Sequence, residues 1–403
     1  MTLLDRIRSW WERRSVRLSP SIYSGGRSDA GITVTDSTAL ALSTVWACVR
    51  AIADPIGFLP LHVYRRRPDG GRQRAPRHEA YYLLHDSPWK NITAVQFRST
   101  LQAHVLLRGN GFARIWRRSG SGQLYGLEIL DPDRMRLVID DDGEMHYEYA
   151  SRRGVLRLGI DEVLHLRGLS HDGLWGYSVI TQARQALGLA AALESYGARF
   201  FASGGRLPYL LRHPGNFRSE QEFEQFRARW KEAYGSTDTW HTPAVLTGGL
   251  EYVPIGIKME DAQFLNSRQF QVQEICRWFR VSPHLVADLS RATFSNIEHL
   301  GIEFLTQTLS YWLEVWEQEI NLKLLGPGHY AEFDVNALVR GAFESRMRGY
   351  ATQLQNGIIS INEARALENL NPIPGGDVHH IQLNMQPVAN TGGSNGSGTE
   401  AQD

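Results

Sequence analysis

The chain has 403 residues, 42% apolar and 21% charged, with 43 Lys+Arg against 43 Asp+Glu. That length accommodates two or three packed modules, and the charge balance excludes a strongly basic, histone-like DNA binder and a wholly disordered acidic chain. Two cysteines far apart in sequence, Cys48 and Cys276, are too few for a disulfide framework or a Cys-based zinc site, no apolar run reaches the roughly 18–20 residues of a membrane span, and residues 1–14 lack a signal-peptide core, so a soluble, intracellularly made protein is expected.

In chain order, Leu3, Leu4, Ile7, Trp10 and Trp11 recur at helical spacing between arginines. Such an arm docks on its own protein or a partner, or lies on a membrane surface. Residues 19–37, rich in Ser, Gly and Asp, read as a flexible connector. A helix is expected over 38–58, followed by a strand at Leu61–Tyr64 and a turn over 65–71, whose triple arginine reads as a solvated strand end. Helices are predicted at His78–His85 and Ala94–Arg108. Strands follow at Phe112–Arg117, Leu124–Ile129, Met135–Ile139, Met145–Tyr149 and Glu162–Leu166, which makes this region α+β.

The pattern then changes. Thr181–Ser203 is a helix of small residues, suited to close packing in a crowded assembly. Strands at Leu207–Leu211, Pro243–Leu246 and Tyr252–Ile255 surround an amphipathic helix at Glu220–Tyr234. A helix over 258–280 ends at Val281-Ser-Pro-His284, and 285–296 has no clean periodicity. A long helix runs from 297 to about 325, stopped by Gly326-Pro-Gly328. Residues 334–370 read as mostly helical with a break at Asn356-Gly357, and 384–403 as a disordered tail.

No signature of chemistry appears. The chain lacks a Gly-x-x-x-x-Gly-Lys-[Ser/Thr] phosphate loop, a Gly-x-Ser-x-Gly elbow and a His-Glu-x-x-His pair. Asp140-Asp-Asp-Gly143 lacks the later ligands of a calcium loop and reads as a turn. No catalytic residue, metal site or cofactor is expected. The neutral total hides an asymmetry: residues 1–180 carry 25 basic and 19 acidic side chains, net +6, which leaves 18 and 24, net −6, for the rest. Opposite-signed halves suit head-to-tail contact between copies of one chain.

Several strings in fixed order carry a resemblance. They are Leu42-Ser-Thr-Val-Trp-Ala-Cys-Val-Arg-Ala-Ile-Ala53, Arg212-His-Pro-Gly-Asn216, Leu246-Thr-Gly-Gly-Leu-Glu-Tyr252, Asp261-Ala-Gln-Phe-Leu265, Val281-Ser-Pro-His-Leu285, Ala292-Thr-Phe-Ser-Asn-Ile-Glu298 and Leu354-Gln-Asn-Gly357. Together, over about residues 38–376, they resemble the tailed-phage portal proteins of the HK97 family, which gene transfer agent particles also use.

The resemblance implies an α+β portal fold. Residues 1–37 would be an arm and connector, 38–180 an α+β wing, and 181–204 and 257–281 two channel-lining stem helices. Residues 205–256 would form a small α/β clip, 282–296 a tunnel loop, 297–326 a long wing helix, 327–376 a small helical crown, and 377–403 a disordered tail. It also implies a homododecameric ring at one capsid vertex of a virion assembled in the bacterial cytoplasm, conducting double-stranded DNA in packaging and ejection. Its partners would be the terminase large subunit, the head–tail adaptor and the major capsid protein. Ser290, Arg291, Ala292, Thr293, Phe294, Ser295 and Asn296 would form the loop near DNA. There Arg291 touches phosphate or bridges subunits, and Phe294 packs between loops. The clip surface, facing a partner or a neighbouring subunit, would carry Glu220, Glu224, Arg227, Trp230, Lys231 and Trp240. Residues 258–326 hold 6 basic and 9 acidic side chains, net −3, which suits a passage that does not grip phosphate. A DNA-processing enzyme and a peripheral membrane protein are the competing classes; the first needs clustered acidic ligands or a phosphate loop, the second the Trp10-Trp11 arm.

Overall fold

The computed structural model describes residues 16–18, 26–202, 209–212, 215, 217, 219–234, 249–254, 261–286, 297–335, 343–368 and 370–380. The chain divides into two compact units, one ending at Asp334 and one beginning at Val335.

The first unit opens with strand β1 (Val16–Leu18) and a small hairpin of β2 (Gly26–Arg27) and β3 (Thr33–Val34). The flexible connector expected at 19–37 is therefore corrected over 26–37. Ser28 N–H donates to Ile32 O at 2.8 Å and Gly31 turns the chain at φ 81°. The hairpin then rests on a later helix at Gly188, where any added Cβ would come within 2.1 Å of Ser28 Oγ. Two helices replace the single one expected over 38–58: α1 (Asp36–Leu40), capped by Thr35, and α2 (Ser43–Phe58). The break follows from Leu42, whose backbone is extended.

Strands β4 (Leu61–Arg66) and β5 (Arg72–Arg74) form a hairpin, and helices α3 (Glu79–His85) and α4 (Ala94–Arg108) follow. Val45, Val49, Ile52 and Ile56 on α2 bury against α4, which presents Phe97, Leu101 and Val105. At about 1.5–3 kcal/mol per fully buried aliphatic or aromatic side chain, this seam is a principal stabiliser of the unit. Within it lies Arg98. Its guanidinium donates to four main-chain carbonyls, Ile56 O at 3.1 Å, Gly57 O at 2.5 Å, Leu59 O at 3.0 Å and Leu84 O at 2.5 Å. Burial lowers its pKa to about 10, so it remains cationic at neutral pH.

Helix α4 ends at Gly109, φ 79°, where a Cβ would come within 2.3 Å of Tyr177 O. Strands β6 (Asn110–Arg117), β7 (Leu124–Leu130), β8 (Met135–Ile139), β9 (Met145–Ser151), β10 (Gly154–Gly159) and β11 (Val163–Arg167) then make two antiparallel sheets, ordered β1-β8-β9-β10 and β11-β6-β7. Phe112, Leu130, Met135, Leu137, Tyr147, Leu158, Val163 and Trp175 form the core between them. Strand β10 is an element that the sequence reading lacks.

Beyond a short helix α5 (Val179–Gln182) come α6 (Arg184–Ala202), β12 (Tyr209–Arg212), α7 (Glu220–Tyr234), β13 (Glu251–Pro254) and α8 (Asp261–Phe279). Strands β12 and β13 pair antiparallel. The strand expected at Pro243–Leu246 lies outside the described residues. The long helix consists of α9 (Ile297–Phe304), a π-helical turn at Leu305–Leu309 and α10 (Ser310–Lys323). Strand β14 (His329–Phe333) follows and completes a sheet ordered β14-β4-β5. This corrects the crown boundary expected at 327: residues 329–333 belong to the first unit because they pair with β4, His329 opposite Arg65 and Phe333 opposite Leu61. Helices α2 and α8 bring Cys48 Sγ and Cys276 Sγ to 3.9 Å as buried thiols, although 228 residues separate them.

The second unit contains α11 (Phe343–Gln355) and α12 (Ile361–Leu367), separated by the turn at Gly357, φ 67°. Asn362 closes the following loop. Its amide donates to Ile373 O at 3.0 Å and Asp377 Oδ1 at 2.9 Å, and its Oδ1 accepts from Ile373 N–H at 2.8 Å.

Two outcomes follow. Arg98→Met leaves buried carbonyls without their donor, so unfolding free energy should fall by about 3 kcal/mol or more, read as a lower denaturant midpoint with an unchanged slope. His62 is buried, and desolvation with help from Arg74 and His85 lowers its pKa from 6.5 to about 4. The unfolded chain therefore takes up a proton near 6.5 that the folded chain refuses, and stability drains as pH falls from about 6.5 toward 4. In His62→Gln that acid-side slope of midpoint against pH should be shallower than in the wild type.

Candidate channel and docking surfaces

The candidate stem is α6 with α8. Each has 19 residues, about 28 Å of helix at 1.5 Å per residue. Their approach is set by a missing side chain: a Cβ on Gly197 would lie 2.9 Å from Phe264 Cζ. Tyr196 closes the same contact, its ring centroid 5.8 Å from that of Phe264. Two of the small residues of α6 serve packing within one chain, Gly188 against β2–β3 and Gly197 against α8. The outward faces keep Leu189, Tyr196, Leu265 and Phe270 exposed. Arg277 on α8 donates to Glu274 Oε2 at 2.6 Å one turn earlier, which reduces its free charge.

Helix α8 stops at Arg280, a left-handed residue with φ 54°, and Pro283–Val286 makes a 3-10 turn at the expected interruption. Arg280 O accepts a hydrogen bond of 2.6 Å from Thr308 Oγ1, which lies in the π-helical turn. The end of α8 is thereby tied to the long helix across the gap that the candidate loop spans. Ser290, Arg291, Ala292, Thr293, Phe294, Ser295 and Asn296 lie outside the described residues. Beside the tie opens an apolar groove of about 730 Å³, bordered by Val105, Leu169, Tyr177, Trp278, Thr308 and Tyr311.

The long helix is fixed to the body by buried polar groups. Trp316, fully buried, donates from Nε1 to Gln102 Oε1 at 2.9 Å. Glu319 Oε1 accepts the main-chain N–H of His165 at 3.0 Å. His165 is completely buried, and desolvation holds its pKa well below 6.5. Asn110 Oδ1 stands 3.0 Å from His165 Nε2 and also accepts Gly176 N–H at 2.8 Å, while Asn110 Nδ2 donates to Gly176 O. The imidazole therefore carries its proton on Nε2, and Nδ1 accepts from the Tyr147 hydroxyl at 2.9 Å. Glu317 accepts Phe333 N–H at 2.8 Å, and burial pushes its pKa up to about 7. The chemistry of this network is positional: it registers helix, sheet and β14 against one another. Nothing in the sequence pattern marks Asn110, His165 and Glu319 as partners.

The clip helix α7 matches its expected bounds at Glu220 and Tyr234. Glu220, Glu224 and Arg227 are exposed, and Arg227 bonds Glu224 at 3.2 Å. Trp230 is half-buried, stacked on Phe226 at 6.3 Å, and Phe217 meets both Phe223 and Phe226. The helix carries Lys231, and Trp240 lies outside the described residues. The structure thus brings Glu220, Glu224, Arg227 and Trp230 onto one helix with an aromatic seam. Among the described residues no group of three or more His, Cys, Asp or Glu can hold a metal ion, and no helix is long and apolar enough to cross a membrane.

This order of elements, a sheet-rich body, two paired helices with a strand–helix–strand insert, and one long helix, recurs in solved structures. A chain in the neck of a native gene transfer agent particle, computed with C12 symmetry, superposes with a TM-score of 0.57 at 20% identity, covering 92% of this chain and 100% of that one. By sequence, the probable portal protein of Streptomyces phage phiC31 is 33% identical over 92% of this chain and 84% of its own length. The portal protein of Enterobacteria phage HK97 is 30% identical over 96% and 93%. The profile of the phage portal proteins matches residues 43–369. The likeness thus extends over sheet-rich body, paired helices and long helix alike, and the chain belongs to the phage portal protein family.

Proposed function

We propose that this chain is the subunit of a twelve-membered ring at one capsid vertex, of a phage or a gene transfer agent particle. Duplex DNA enters and leaves through the ring. The observation that carries the reading is family membership across 43–369, with a neck structure of twelvefold symmetry as the fold relative. In the proposal α6 and α8 line the passage, the 282–296 segment reaches toward DNA, and α7 with the rest of 205–256 receives the terminase large subunit and then the head–tail adaptor. The sheet-rich body faces the major capsid protein, and 335–376 forms the crown.

The physics of the passage supports this. A conduit that lets DNA slide must not neutralise many phosphates, because each contact adds affinity through counterion release. The segment 258–326 is net acidic by three charges. Work on DNA falls to the motor that docks on the ring, and no catalytic step is assigned to this chain.

End views of the purified protein by electron microscopy should show a closed ring with a central hole, at a mass of twelve subunits; a species that stays monomeric at high concentration overturns the proposal. Replacing 290–296 with a Gly/Ser linker should leave rings intact and lower the yield of packaged DNA, and normal yield would remove the loop from the passage. Glu220→Arg with Glu224→Arg should weaken capture of the terminase large subunit by intact rings. Unchanged capture means that α7 is not the docking face.

A further inference from the structure

The β4–β5 hairpin and the residues after it carry a concentration of charge that the fold uses only in part. Residues 64–78 hold six arginines, Arg65, Arg66, Arg67, Arg72, Arg74 and Arg77, against one carboxylate, Asp69. This net +5 accounts for nearly all of the +6 of residues 1–180. All six arginines are exposed. Register places Arg66 directly opposite Arg72, a pairing of like charges that destabilises a sheet. The strands tolerate it by stacking: the Arg66 guanidinium lies 5.1 Å from the Tyr330 ring centroid and that of Arg72 4.9 Å from Tyr64. Arg67 pairs with Asp69 and Arg72 with Glu332. Arg65, Arg74 and Arg77 have no carboxylate partner among the described residues. The like-charge pair is thus compensated inside the fold, whereas the charge of Arg65, Arg74 and Arg77 is not, and that surplus on one hairpin marks a surface built for something outside it.

The complementary surface is on the same chain. Residues 297–323 hold five glutamates against one lysine; Glu317 and Glu319 are bonded inward to Phe333 and His165, whereas Glu303 and Glu314 are exposed. On the exposed side of the long helix stand Ile302, Glu303, Gln307, Tyr311, Glu314 and Gln318. Ile302 is 51% and Tyr311 50% exposed. Neither Glu303 nor Glu314 has an ion-pair partner among the described residues; Glu314 accepts only from Gln318 at 2.6 Å.

The two patches are kept apart within one subunit. The hairpin is anchored just past the C-terminal end of the helix, where Arg66 N–H donates to Gly328 O at 2.8 Å. Glu303 and Glu314 lie 20 and 9 residues before Lys323, about 30 and about 14 Å of helix at 1.5 Å per residue, both more than one Debye length at physiological salt. A ring of heterologous contacts needs two such unlike patches on every subunit. Duplex DNA is the weaker candidate for the hairpin, because a chain of zero net charge has equal negative charge elsewhere to repel phosphate.

Resting on the ring reading, we infer that the arginine hairpin of one subunit packs on the acidic, partly apolar face of the next subunit's long helix around Glu303, Tyr311 and Glu314. Guanidinium groups meet the carboxylates, and the aliphatic arginine stems cover Ile302 and Tyr311.

The test uses full-length chains and mass photometry at about 50 and about 500 mM salt, two conditions that differ strongly in screening. Arg65→Glu/Arg74→Glu/Arg77→Glu alters side chains without a carboxylate partner, so its melting at pH 8, above the titration of His62 that Arg74 influences, should match the wild type. Its ring fraction should fall at least about tenfold, as should that of Glu303→Arg/Glu314→Arg. Combining all five changes in one chain should restore rings. Rings unaffected by either set, or rings lost without rescue in the combined variant, overturn the pairing. So does loss of duplex DNA binding by the hairpin variant with its rings intact, because the hairpin's partner is then nucleic acid. A wild type that forms no ring at either salt overturns the ring reading itself, a result separate from any behaviour of the variants.

Discussion

A single buried guanidinium organises the N-terminal body. Helices α2 and α3 both end beside α4, and a helix end leaves carbonyl oxygens without donors. The Arg98 side chain is buried among them. Arg98 satisfies them from the side of a third helix, with two of its four acceptors at the C-terminus of α2, one just past it and one at the C-terminus of α3. Negative helix-dipole ends converge there, which is why a cation without a carboxylate partner is tolerated in the interior. Only arginine fits, since its donors fan out in a plane and reach several acceptors at once.

From that anchor the rest is positioned by contact. Helix α4 presents Gln102 to Trp316 and Phe97 to the same indole, so the long helix takes its place from α4. The sheets take theirs from the other edge of that helix through Glu319 and His165. Both devices pair polar atoms inside the core, the Trp316 indole N–H with Gln102 Oε1 and the His165 main-chain N–H with Glu319 Oε1. Specific geometry results where apolar packing alone would allow sliding.

Local patterns were readable where a segment's own periodicity decides its state. Helices Ala94–Arg108 and Glu220–Tyr234 match their expected bounds, as does strand Met135–Ile139. What escaped depends on distant partners. Strand β14 is five residues long and exists because β4, more than 260 residues earlier, offers it an edge. The β2–β3 hairpin looks like linker sequence until Gly188 supplies its seat. The proximity of Cys48 and Cys276 is likewise invisible in one dimension. Strand β10 is a different case: Val155, Leu156 and Leu158 beside Gly154 carry a strand signal in their own local sequence. Of the candidate site, the two paired helices and the clip helix were legible from small-residue and amphipathic spacing. The groove beside Thr308, the tie to Arg280 and the pairing potential of the arginine hairpin were not, because each combines segments that share no local pattern.

The π-helical turn at Leu305–Leu309 has a mechanical consequence. A wider turn holds about one residue more than an α-turn, so side chains on either side of it are rotated by roughly 100° relative to an unbroken rod. The C-terminal half can stay keyed into its socket by Trp316 while the N-terminal half presents a different azimuth. Such a phase shifter decouples the two ends: changes in sequence before residue 305 re-aim whatever emerges there without disturbing the anchor, and in an assembly of repeated copies each adjustment would be replicated around the whole circumference.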